Sequence, residues 1–221
     1  MIMEQYIIKE NDGNDSIFIF VPNFLDCRDL TKMKQELNHI NDWKITTKYD
    51  ETTIQRKQKW YQTDNKPFGK NWKKSYDRWK PNNYSEYLLK FQNNMQKNIS
   101  EIIEGNDSIL KPKINSLLIN YYEDGNNCIT AHQDDKGSFG LEPTIALLSI
   151  DGPRTFCLER TICDSLKRDK TNSHLNRNFI LSDNSLFIMA GGSQRYFCHS
   201  IKKEPTNNNS RYSLTFREFI Y

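Results

Sequence analysis

From residue 114 onward the chain breaks into short apolar runs at near-regular spacing, separated by clusters of Gly, Pro, Asn and Asp. The candidate strands are 114–122, 128–132, 144–150, 154–160, 179–181, 185–190, 195–201 and 211–220. Many short strands at such intervals, following a helical start, favour a sandwich or jelly roll over any helical or doubly wound fold. The charged stretch 163–177 lacks an apolar period and reads as an exposed insertion. Upstream, Ser16-Ile17-Phe18-Ile19-Phe20-Val21 is an apolar run stopped by Pro22, which reads as one more strand. Asp26 then fits an N-cap, with Leu30, Met33, Leu37 and Ile40 following at helical spacing. Tyr84, Tyr87, Leu88, Phe91, Met95, Ile99, Ile102 and Ile103 form a second stripe ending at Gly105, a core-facing helix. Between the helices, 44–83 has poor periodicity, with Pro67, Gly69 and Pro81 as punctuation, and reads as short strands and loops. The expected class is mostly β with flanking helices (α+β), the helices 26–40 and 84–104 buttressing one sheet.

A length of 221 residues suits one domain, 1–221, with 1–113 as its N-terminal part and 114–221 as its core. No apolar run approaches the roughly 20 residues that span a bilayer, so no membrane partner is expected. The start Met1-Ile2-Met3-Glu4 lacks the basic-then-apolar order of a signal peptide. Cys27, Cys128, Cys157, Cys163 and Cys198 are odd in number and scattered, as expected of reduced thiols in an intracellular protein, nuclear or cytoplasmic. A monomer is expected.

The net charge of +3 hides an asymmetry. Segment 55–80 carries nine basic against two acidic side chains, a local +7, so the remainder sums to −4. The same segment holds Trp60, Tyr61, Phe68, Trp72, Tyr76 and Trp79. Cations attract phosphates and flat rings stack on exposed bases, which fits a nucleic-acid partner. A solvated loop anchored by its own tryptophans fits the composition as well.

His132-Gln133-Asp134 follows a strand-like run, and in an extended segment residues i and i+2 share a side, so His132 and Asp134 can reach one ion. Alone, the pair reads equally as two polar loop residues. A His-x-Asp pair with a distant second His would be the facial triad of non-haem Fe(II) sites, which keep coordination positions open. Of the four histidines, His39 ends a helix and His174 lies in the polar insertion. His199 sits in an aromatic strand-like stretch and is the better third ligand. On the last strand Arg211, Ser213, Thr215 and Arg217 share one face, opposite Tyr212, Leu214 and Phe216. Facing outward, the arginines are merely solvated. Facing inward, they need an anion, and a dicarboxylate suits bidentate pairing. Asn120 and Tyr122 likewise share a face of their strand.

Together, Asn120-x-Tyr122, His132-x-Asp134, His199-Ser200-Ile201 and Ser213-Leu214-Thr215-Phe216-Arg217 after Arg211 resemble the AlkB family of Fe(II)/2-oxoglutarate dioxygenases over about 114–220. Phe24-Leu25 resembles the family's entry segment, and Arg56-Lys57-Gln58-x-x-Tyr61 is similar to its nucleotide lid. The resemblance implies a double-stranded β-helix in which His132, Asp134 and His199 hold Fe(II). It implies 2-oxoglutarate with its distal carboxylate on Arg211 and further contacts from Asn120, Tyr122, Ser213 and Arg217, and O2 as the other co-substrate. The implied reaction removes alkyl groups from N-alkylated bases such as 1-methyladenine and 3-methylcytosine in DNA or RNA, releasing aldehyde, succinate and CO2. The target base has to be extruded or already single-stranded. A lid over 55–80 would hold it, with Arg56, Tyr61, Tyr76, Trp79 and Asp135 as substrate contacts. Three positions depart from the family: Lys136 stands where a base-reading carboxylate is common, Ser213 where Asn is usual, and Gln55 where Pro is common. Rival readings are an oxygenase acting on a protein or small molecule, and a nucleic-acid-binding module with a vestigial metal site.

Overall fold

The computed structural model describes residues 3–47, 53–68, 79–104, 109 and 111–220. Two helices precede the strand-rich half. In α1 (Cys27–Asn38) the Asp26 carboxylate accepts from the Asp29 N–H at 2.8 Å, satisfying one of the free donors of the first turn. In α2 (Glu86–Ile102) the Ser85 hydroxyl accepts from the Leu88 N–H at 3.1 Å. Met33 and Leu37 on α1, and Leu88, Met95 and Ile99 on α2, are buried as the stripes require. The expected stop at Gly105 lies outside the described residues.

The strands form two sheets. The larger runs in the order β1 (Glu4–Ile8), β2 (Ser16–Val21), β11 (Ser185–Gly191), β8 (Ile145–Asp151), β13 (Arg211–Arg217), β6 (Ser116–Tyr122), β4 (Thr53–Gln62), β3 (Lys44–Thr47), with the short β5 (Pro81–Asn82) beside β4. The smaller runs β10 (Arg177–Leu181), β9 (Arg154–Arg160), β12 (Phe197–Ile201), β7 (Ile129–His132). One-turn helix α3 (Lys136–Phe139) follows β7 in the chain, and one-turn helix α4 (Ser193–Tyr196) directly precedes β12. This is the expected jelly roll with helices against one face.

Strand alternation divides the core into two layers. Ile17, Ile19, Leu117, Ile119, Leu148, Leu214 and Phe216 pack under the helices. Phe18, Phe156, Leu158, Phe187 and Phe197 fill the space between the sheets. Because Tyr212, Leu214 and Phe216 take the helix side, Arg211, Ser213, Thr215 and Arg217 must point between the sheets. That decides the question of their face: inward.

Three boundaries differ from expectation. The ten-residue β4 runs through a region read as short strands and loops. Its inward positions include the buried polar Gln58 and Gln62, so no hydrophobic alternation marks it. The run 195–201 is split, α4 ending at Tyr196 before β12 begins. Segment 163–177 is mostly exposed, but its last residue, Arg177, already opens β10.

Candidate metal centre

β7 and β12 are neighbours, and their register sets His132 directly across from His199. The ring centroids lie 4.2 Å apart. Asp134, two positions past His132, returns to the same side, with Oδ1 3.9 Å from Nε2 of each imidazole. One donor atom from each of the three lies within 4.8 Å of the others. Gln133, between them, points away and shares its amide N–H groups among Thr161 Oγ1, Ser165 O and Arg195 O at 3.3–3.4 Å. The Asp134 N–H donates to Gln194 Oε1 on α4 at 2.9 Å. Both neighbours therefore hold the strand end in one conformation.

The protonation states suit a cation. A carbonyl can only accept, so the 2.8 Å contact of His132 Nδ1 with Thr130 O places the proton on Nδ1 and leaves the Nε2 lone pair free. Burial first, then the nearby His132 and Arg217, push the His199 imidazolium down to about 3, so this ring is neutral at physiological pH. Burial alone would raise the Asp134 carboxyl, but nearby positive charge, the Arg217 guanidinium foremost, outweighs it and holds the group below its usual range. Arg217 Nη1 donates to Asp134 Oδ2 at 2.7 Å. The Arg217 guanidinium lies 4.2 Å from the Phe139 ring centroid and 5.8 Å from that of Phe68. Two neutral imidazoles and one carboxylate on one side of an ion, with other positions open, are a donor set that fits Fe(II).

Arg211 has no accessible surface. Its Nε and Nη2 donate to Ser149 Oγ at 3.1 and 2.7 Å, while Nη1 is buried with no hydrogen-bond partner among the described residues. Burial lowers its pKa to about 10. A buried guanidinium whose nearest company is the Ser149 hydroxyl and the phenol of Tyr122 is costly until an anion arrives, which fits one carboxylate of a dicarboxylate. Arg211 stands 5.4 Å from the ring of Tyr122, which lines the adjoining cavity. That cavity, of about 260 Å³, lies between the sheets and takes in all three candidate ligands.

The other expected site residues divide. Asn120 and Ser213 face each other across β6 and β13 and line the cavity, as do Tyr122 and Arg217. Arg56, Trp79 and Asp135 also line it. Arg56 turns inward, its Nε donating to Asn120 Oδ1 at 3.0 Å and Nη1 to Cys128 O at 3.2 Å. Trp79 stacks on Phe68 at 4.2 Å between centroids and 15° between planes. Asp135 is exposed and accepts from the Ser138 hydroxyl at 2.5 Å. Tyr61 does not reach the site. One position past the inward Trp60, it takes the opposite face of β4 and packs 5.2 Å from Tyr84 under the helices, with 4% exposure. Tyr76 lies outside the described residues.

Sequence reasoning passed over Ser149, Phe139 and Gln194, and quoted Gln58 in the lid motif without giving it a role. Ser149 was visible as a lone hydroxyl in an apolar strand, and Gln58 as the next same-face neighbour of Arg56. Phe139 and Gln194 come from one-turn helices and carried no pattern.

Comparison with known proteins gives consistent matches. The model of the 2OG-Fe(II) oxygenase superfamily matches residues 18–217. The alpha-ketoglutarate-dependent dioxygenase alkB homolog 3 of Mus musculus is 36% identical over 104 residues, 47% of this chain and 36% of that protein. The DNA oxidative demethylase ALKBH2 of Arabidopsis thaliana is 29% identical over 133 residues, 54% of this chain and 42% of that protein. These matches thus span well under half of either relative's length. The solved structure of OsALKBH1 aligns with a TM-score of 0.59 and 17% identity, covering 91% of this chain and 96% of that one, which shows a shared fold.

Proposed function

The chain belongs to the 2OG-Fe(II) oxygenase superfamily, whose members use Fe(II), 2-oxoglutarate and O2, and from that premise we propose that it oxidatively removes alkyl groups from N-alkylated bases in DNA or RNA. The observation that carries this reading is a single cavity. At one end it has the His132–Asp134–His199 donor set, and on its wall the stacked pair Phe68 and Trp79, which belong to the +7 segment. The names of the curated relatives, an alkB homolog and a DNA oxidative demethylase, point the same way.

His132, Asp134 and His199 would hold the iron. Bound there with 2-oxoglutarate, it supplies the oxidising power that hydroxylates the alkyl carbon as O2 is consumed and succinate and CO2 are released. The chain's own residues bind and orient. Arg211 takes the distal carboxylate, relieving its unpartnered Nη1, while Asn120, Tyr122, Ser213 and Arg217 border the remainder of the co-substrate. Arg217 keeps Asp134 ionised and directs its carboxylate. Trp79 and Phe68 offer a flat apolar wall to a base taken out of its stack. Arg56 and Asp135 border the same space. After hydroxylation the C–N bond breaks, the carbon leaves as aldehyde, and the ring nitrogen is restored.

The test is anaerobic loading with Fe(II) and 2-oxoglutarate, then O2, in the presence of methylated single-stranded DNA, duplex DNA or RNA. Restored base and formaldehyde are expected with at least one polymer, and both disappear in His132→Ala. Succinate release that no nucleic acid stimulates would overturn the reading in favour of a protein or small-molecule substrate.

A further inference from the structure

Gln58 on β4 lies opposite Asn120 on β6, is 4% exposed and lines the cavity. Its amide orientation follows from what its neighbours can do. Arg56 can only donate, so the Asn120 atom that meets its Nε at 3.0 Å is the carbonyl oxygen. Gln58 meets that same oxygen at 2.8 Å and must present its NH2 group there. The Gln58 Oε1 is thereby turned away from Asn120, and among the described residues it is buried without a partner. An acceptor in that state bears its desolvation cost until a donor reaches it. Ionised 2-oxoglutarate carries no N–H or O–H, and the three candidate metal ligands are already committed. A substrate that brings an N–H to this wall of the cavity would supply the donor.

We propose that Gln58 Oε1 accepts from the exocyclic amino group of the target base and so selects bases in which an amino group flanks the alkylated ring nitrogen. In 1-methyladenine and 3-methylcytosine an amino group adjoins that nitrogen. In 3-methylthymine a carbonyl stands on both sides of it, and an oxygen facing Oε1 would leave two buried acceptors opposed. The inference rests on the nucleic-acid reading above and adds the residue that reads the base edge. The residues past the metal-ligand pair are less suited to this selection. Lys136 can only donate, and its Nζ is bound to Asp164 Oδ1 at 2.5 Å. Asp135 is exposed and already accepts from Ser138, so a base amine there would merely replace water. A buried carbonyl discriminates more sharply, because the mismatched base leaves it unpaired.

The experiment compares kcat/KM on single-stranded oligonucleotides carrying one 1-methyladenine, 3-methylcytosine or 3-methylthymine, for wild type, Gln58→Met and Gln58→Glu, each loaded with Fe(II) and 2-oxoglutarate. Wild type is expected to prefer the two amino-bearing bases over 3-methylthymine by about tenfold or more. Gln58→Met keeps the length but removes the acceptor, and should collapse that ratio towards one. Gln58→Glu keeps an acceptor, loses the donation to Asn120, and should retain the preference. Fluorescence anisotropy of the same oligonucleotides with metal-free protein should show the same loss of discrimination in Gln58→Met. A structural role for Gln58 would depress all three bases together, and that result, or a wild type indifferent to the three, overturns the proposal while leaving dealkylation intact. Absence of dealkylation on every base, with 2-oxoglutarate still consumed, overturns the functional reading itself. Should Gln58→Met fail to fold, the Gln58→Glu ratio decides, its loss counting against the proposal.

Discussion

Arg211 and Arg217 share one strand face but meet opposite electrostatic company. Arg217 is paired at 2.7 Å with Asp134, whereas Arg211 has no carboxylate partner among the described residues and donates to the Ser149 hydroxyl. The two substitutions should therefore separate. Arg211→Met is expected to raise the Kd for 2-oxoglutarate by about 10–100-fold, the scale of a lost charge-assisted pair, with iron retention little changed. Titration of 2-oxoglutarate into the iron-loaded protein by calorimetry measures it. Arg217→Met should instead loosen Fe(II) by about 10–100-fold, because it removes the group that orients and ionises a ligand carboxylate. Competition with a chelator reads that directly.

Two connecting elements show how polar residues shape the fold. In β4 the inward face carries Gln58 and Trp60, and the indole N–H of Trp60 donates to Lys66 O at 2.9 Å. Trp60 has 0% exposure and is ringed by Phe68, Phe139 and Phe219. Trp60→Ala should cost about 3–5 kcal/mol in chemical denaturation and release the Phe68–Trp79 wall. Between β12 and β13, Glu204 accepts from the Thr155 N–H at 2.8 Å and lies 3.5 Å from Arg154 Nε. Burial pushes its carboxyl up, but Asn207, Thr155 and Arg154 together bring it below the ordinary glutamate value. A carboxyl depressed in the folded state stabilises fully above its unfolded pKa and loses that contribution as pH falls through the folded value. Thermal melts of the wild type should therefore decline below about pH 4.3, where free glutamate begins to protonate. Glu204→Gln should melt lower at neutral pH, with a shallower acid decline.

At the scale of the molecule, charge is separated from chemistry. The +7 segment contributes to one wall of the cavity, while the donor set lies on the minor sheet and its adjoining turn. Affinity for single-stranded nucleic acid should fall steeply between 50 and 200 mM salt, and the triple change Lys70→Gln, Lys73→Gln, Lys74→Gln should make the log–log slope shallower by about 2. Anisotropy titrations across salt test it. The strand-rich second half and both helices were legible because apolar side chains recur with the backbone's own periods of 2 and 3.6, and a period needs no partner to be read. The candidate ligand trio could be picked out for a related reason: His132 and Asp134 are local to one another, and four histidines leave few candidates for the third position. Tertiary structure alone decided which way each ambiguous face turned. Arg211 points inward because Leu214 and Phe216 are claimed by the helices, and Tyr61 is withdrawn from the site because its face of β4 is claimed by the same core, against Tyr84. β4 was illegible because its buried inward face is partly polar, and that face becomes favourable only where Asn120 and its neighbours supply the hydrogen bonds.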